Sequence, residues 1–156
     1  MKAYYNEFNP HAAQWLRNLM AEGHIPQGEV DERSITEVRA HELRGYDQIH
    51  LFAGVGGWAL ALRLAGWDER RRVCTASFPC QPFSVASPLR KGVDDARHLW
   101  PVGRALFSEL GIPTIFGEQV ASKDGRAWLG GVRADMEALG YRVGAADLCA
   151  AGVGAP

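Results

Sequence analysis

Hydrophobic and polar positions along the chain switch repeatedly between a short apolar run and a helical repeat. Residues 2–6 form a brief strand pattern with two tyrosines, and Pro10 follows, a residue favoured in the first turn of a helix with Asn9 as its cap. Ala12, Ala13, Trp15, Leu16, Leu19 and Met20 then recur at helical spacing, and Gly23 supplies the stop. Residues 28–35 read as a weak extended segment, and 47–52 as a stronger strand that runs into Phe52-Ala53-Gly54-Val55-Gly56-Gly57. An apolar helix over 58–65 is closed by Gly66, and a third strand over 72–78 leads to Pro79 and Cys80. The pattern further predicts a helix over 97–110 with Pro101 near its start, a buried strand over 113–120, a helix over 125–139 ended by Gly140, and a strand over 141–148. Strands alternating with helices predict an α/β fold, a mostly parallel sheet with helices on both faces.

Composition narrows the class. The 156 residues suit a single domain, 1–156, that buries about 70% of the surface its unfolded chain exposes. The chain is 47% hydrophobic and 22% charged, and no segment approaches the roughly 20 apolar residues of a membrane span. Its first residues lack the apolar core of a signal peptide, so an intracellular (cytoplasmic) location without membrane contact is expected. A net charge of −1 gives no basic footprint, so any nucleic-acid partner has to be argued from motifs. Cys74, Cys80 and Cys149 have neither CxxC nor Cys/His metal spacing and read as reduced thiols, with no metal site.

Two segments carry candidate chemistry. Cys80 stands between Pro79 and Pro82 in Pro79-Cys80-Gln81-Pro82-Phe83-Ser84, where the prolines exclude a helix interior or a strand ladder. A thiol in a stiff loop at a strand end is where an exposed nucleophile belongs, whereas a structural cysteine sits among apolar side chains. Upstream, Gly54, Gly56 and Gly57 allow a tight turn whose following helix presents free N–H groups to a ligand. The glycines also admit a plain packing role between strand and helix. With Ala59 in the last position the turn matches GxGxxG/A, but a nicotinamide-type dinucleotide site requires an acid at the end of the next strand. That strand ends in Phe78-Pro79-Cys80, which disfavours the dinucleotide reading.

Together with Glu118-Gln119-Val120, these segments resemble, in order and approximate spacing, the cofactor turn, nucleophile loop and Glu-Asn-Val motif of the DNA cytosine-5 methyltransferases. The resemblance implies a Rossmann-like methyltransferase fold that binds S-adenosylmethionine through Phe52, Ala53, Gly54, Gly56, Gly57 and Pro79, and a cytosine flipped out of double-stranded DNA. It implies that the Cys80 thiolate adds to carbon 6 of the base, so that carbon 5 can attack the sulfonium methyl group, while the Glu118 carboxyl meets the charge developing toward ring N3. Gln81, Ser84 and Ser87 would contact phosphates, and Arg97 matches a family arginine at the end of the same loop. Gln119 departs from the family asparagine.

The usual ribose-binding acid, on the strand after the glycine turn, has no place here. Tyr5-Asn6-Glu7-Phe8 resembles that missing segment, and Ser34-Ile35-Thr36 resembles the Asp-Ile-Thr of the strand that follows it. The expectation is therefore a permuted order in which the second and third cofactor strands precede the first. Glu7 would then bind the ribose, Phe8 would pack on adenine, and Asp31 or Glu29 would accept from the adenine amino group. The 156 residues contain neither the family's arginine motif nor its target-recognition region, so the fold is expected to be incomplete at the C-terminus. A separate subunit or recognition domain is the expected source of both, and the alternative is a non-catalytic S-adenosylmethionine-binding subunit.

Overall fold

The computed structural model describes residues 2–68, 70–79 and 98–154. These fall into two compact units, one holding the chain to residue 79 together with 98–119, the other residues 120–154. The first unit is built on a five-stranded, wholly parallel sheet: β1 (Ala3–Asn6), β2 (Gly28–Asp31), β3 (Gln48–Leu51), β4 (Val73–Ser77) and β5 (Ile115–Glu118), in the spatial order β2-β1-β3-β4-β5. The three inner strands are buried almost throughout, as a parallel sheet covered on both faces requires. Edge position accounts for the faint pattern of β2, and also corrects the expectation for β5. Ile115 and Phe116 are only half-buried, and Gly117 and Glu118 are exposed, because no described strand lies beyond them.

Helices α1 (Pro10–Ala21), α2 (Ala40–Leu43), α3 (Gly57–Leu64) and α4 (Trp100–Leu110) complete this unit. The Asn9 side chain caps α1 by accepting from the His11 and Ala12 N–H groups, and Gly23 at φ +72° turns the chain out. Pro101 lies in the first turn of α4, where its missing N–H removes no helical bond. Leu16 and Met20 of α1 and Ala59 of α3 form one buried cluster with Ala3 and Tyr5 of β1, so both helices cover the same face. On the opposite face α2 and α4 lie together, and Arg72 ties them at the base of the sheet by donating to the Leu43, Tyr46 and Leu110 carbonyls.

This arrangement fixes the hands of the connections. The path through α1 runs from β1 outward to β2, whereas those through α2, α3 and α4 run the other way, toward β5. A crossover reverses hand when either its direction or its face changes, so the paths through α1, α2 and α4 share one hand and the path through α3 has the other. Because about 98% of such crossovers are right-handed, the exception is the left-handed β3-α3-β4 connection. Had the chain left α3 for β1 instead, that connection too would have the common hand.

In the second unit α5 spans Lys123–Ala138, capped by Ser122, whose hydroxyl accepts from Gly125 N–H at 2.9 Å. The strand expected over 141–148 is absent. That segment is mostly exposed, follows α5 and is tied to it by Arg126 to Asp147 at 2.7 Å and by Arg133 to the Val143 carbonyl at 3.1 Å. Gly144, Ala145 and Ala146 offer none of the branched or aromatic bulk that stabilises a ladder.

A polar row crosses the core beneath α3. His50 stacks on Tyr5 at 4.9 Å, with Nδ1 2.8 Å from Thr75 Oγ1 and Nε2 3.2 Å from Gln48 Oε1. With the Gln48 amide oxygen turned toward it, Nε2 donates and Nδ1 accepts from the Thr75 hydroxyl. Burial disfavours the cation and pushes the His50 pKa from 6.5 down to about 4. A lowered folded-state pKa means that the unfolded chain binds the proton first as pH falls, so stability is full above pH 6.5 and declines toward pH 4. Urea unfolding should show wild type losing roughly 3 kcal/mol more than His50→Gln across that window, and equal pH slopes would refute the assignment.

Candidate functional site

Parallel pairing sends every strand's C-terminal end to one edge of the sheet, and the predicted residues that fall within the described chain collect there. Register sets Asn6 beside Asp31 on one side and Leu51 on the other, Leu51 beside Ala76, and Ser77 beside Glu118. Beyond β3 the backbone enters the left-handed region at Phe52 (φ +53°), Gly54 (+56°) and Gly56 (+83°) before α3 begins. Phe52 is the one described non-glycine residue in that region. Its ring lies 5.2 Å from Phe78. A Cβ on Gly56 would meet Leu16 Cδ2 at 3.1 Å, so a side chain there would also press on α1. No side chain caps α3, which leaves its first-turn N–H groups facing this edge.

Glu7 joins this turn to the end of β1. Its Oε2 accepts from Gly54 N–H at 2.7 Å and its Oε1 from Asn9 N–H at 2.9 Å, while Ala53 N–H donates to the Asn6 carbonyl at 2.9 Å. A carboxylate has about four acceptor positions, so two remain for a ligand. Phe8, the next residue, is 72% exposed, and Val55 at the tip of the turn is 65% exposed. Asp31 is differently placed. The Tyr4 hydroxyl donates to its Oδ2 at 2.7 Å, and Arg33 donates from its backbone N–H, Nε and Nη2. Burial works against ionisation of Asp31, but the bonds from Arg33 and Tyr4 outweigh it and hold the carboxyl below its usual range. Its acceptor positions are therefore engaged within the protein. Glu29 likewise accepts from the Tyr46 hydroxyl.

On the β4 side of the turn lies a cleft of about 440 Å³, walled by Phe52, Gly54, Gly57, Trp58, Ala61 and Ser77. Ala53 and Val55 also line it, whereas Gly56 faces α1. Trp58 and Ser77 were not foreseen as site residues. Trp58 reads in sequence as the first apolar position of a helix, and nothing local marks Ser77 as its acceptor.

β4 delivers Pro79 to the same edge as the glycine turn. Cys80, Gln81, Ser84, Ser87 and Arg97, the expected nucleophile and DNA contacts, lie outside the described residues. Of the other cysteines, Cys74 is fully buried in β4, and burial pushes its thiol well above the ordinary range, which makes it a poor nucleophile. Glu118 is exposed at the end of β5. No family model matches the chain, and no curated protein matches it. Among the described residues no helix is long and apolar enough to cross a membrane.

Gly56→Ala should destabilise the protein by roughly 1–3 kcal/mol in urea unfolding, since it adds left-handed strain to the contact with Leu16. An unchanged midpoint would show that the turn tolerates another conformation.

Proposed function

We propose that this chain is the catalytic and cofactor-binding part of an S-adenosylmethionine-dependent DNA cytosine-5 methyltransferase, with its cofactor strands in permuted order. The observation that carries the reading is the Glu7 carboxylate bonded to the N–H of Gly54, at the edge where β4 leads toward Cys80. The left-handed path through α3 supports the permutation, because the same helix has the common hand if β3 and α3 precede β1. In that order the strands follow the family sequence, and Glu7 ends the strand after the glycine turn.

The residues suit the cofactor. Glu7 retains acceptor positions for a ribose diol, the exposed Phe8 ring offers a face for adenine, and the free N–H groups of α3 suit a carboxylate. The cleft volume falls within the usual range for small-molecule sites. When bound, S-adenosylmethionine supplies an electrophilic methyl group. In this reading Cys80 adds as thiolate to carbon 6 of the flipped cytosine, Glu118 donates toward N3, and Gln81, Ser84, Ser87 and Arg97 hold the DNA backbone. A net charge of −1 is poorly suited to grip a polyanion alone, which favours a second polypeptide or domain for target recognition.

Calorimetry should show that S-adenosylmethionine binds wild type and that Glu7→Ala weakens it at least about tenfold, the worth of a lost hydrogen bond to a charged group. Unchanged affinity would remove Glu7 from the cofactor. With labelled S-adenosylmethionine and DNA containing 5-fluorocytosine, wild type supplied with its recognition part should form a covalent adduct that Cys80→Ser does not. Identical behaviour of the two proteins counts against the nucleophile.

A further inference from the structure

One side chain from the helix after the glycine turn touches both neighbouring strand ends. Trp58 Nε1 donates to Ser77 Oγ at 3.0 Å, and the indole stacks on Phe116 of β5 with centroids 5.8 Å apart and planes 22° apart. Trp67 closes edge-on over Phe116 at 5.7 Å. Ser77 is the last residue of β4 and pairs in register with Glu118. As an edge strand among those described, β5 has a ladder on one side only, and its last two residues are exposed. Such ends open locally at low cost, so the two indoles over Phe116 are a substantial part of what anchors it. Trp58 and Ser77 also wall the cleft beside the glycine turn. A molecule occupying that cleft restricts the same ring that holds β5.

We propose that Trp58 is a positioning residue: through Ser77 and Phe116 it couples occupancy of the cleft to the order of the β4 and β5 ends, and so sets Glu118 for the reaction. This rests on the cofactor reading above and adds to it a role in ordering the β4 and β5 ends. Ligand binding acts on β5 through one hydrogen bond and one ring stack, and the hydrogen bond can be removed from either side. Ser77→Ala deletes the acceptor and leaves the stack, Trp58→Phe deletes the donor and keeps a ring, and Ser77→Thr restores a hydroxyl.

The test is amide hydrogen exchange with and without S-adenosylhomocysteine, alongside calorimetry and thermal unfolding of each variant. In wild type the ligand should slow exchange of the β5 amides about tenfold. At ligand concentrations that saturate each variant by calorimetry, Ser77→Ala and Trp58→Phe should lose most of that slowing, and Ser77→Thr should recover it. Should Trp58→Phe unfold, Ser77→Ala still decides. Wild-type slowing retained in a folded, ligand-saturated Ser77→Ala overturns the coupling and leaves the cofactor reading intact. Failure of wild type to bind either S-adenosylmethionine or S-adenosylhomocysteine overturns both.

Discussion

The candidate site depends on the parallel pairing of β1 with β3, which sets Asn6 opposite Leu51 and so brings two turns from distant parts of the chain to one spot. From that register the Ala53 N–H reaches the Asn6 carbonyl, and the Gly54 N–H reaches Glu7. Slip the pairing by one residue and every side chain of β1 would change face. Tyr5 would leave the cluster beneath α1 and α3, and Tyr4 would leave Asp31. The apolar cluster and the polar network on opposite faces thus enforce the same register that builds the edge.

The two ends of the sheet divide their work. At the base, Arg72 spends its guanidinium on three carbonyls, and the strand entries there are closed off by side-chain bonds. At the C-terminal edge the backbone is left in left-handed turns, an uncapped helix start and exposed aromatic surface. The left-handed Phe52 costs local free energy there and persists because the buried sheet beneath it is over-determined. Stability concentrated in β1, β3 and β4 therefore permits an edge whose N–H groups, carboxylate and rings remain available to a ligand.

Most of the fold was legible in local pattern because its periods are unambiguous. The cap at Asn9, the stop at Gly23, the glycine turn and the Pro101 helix start all announce themselves within a few residues. What stayed hidden is non-local. An alternation of residues cannot tell an inner strand from an edge strand, so β5 read as buried, and it cannot supply a ladder partner, so 141–148 read as a strand. The fate of Asp31 is the same kind of case: a carboxylate at a strand end looks free for a ligand until Tyr4 and Arg33 are seen to fill it. Trp58 shows the converse, an apolar helix position in sequence that is a hydrogen-bonding wall in space.

Chain order itself carries physical information here. A left-handed crossover is disfavoured because the twist of strand and helix does not return the chain easily onto the sheet, so a fold does not adopt one without cause. In this chain the position of α3 is set by what it packs against: Ala59 joins the cluster with Leu16 and Met20, and Gly56 admits Leu16 at the helix start. Moving α3 to the other face would restore the hand but would break that cluster and carry the uncapped helix start away from Glu7. The site geometry and the core beside it have thus prevailed over the preference of the connection. That is the outcome expected if the arrangement of β1, β3 and α3 in space is what the chain must keep, and the route between them is what it is free to vary.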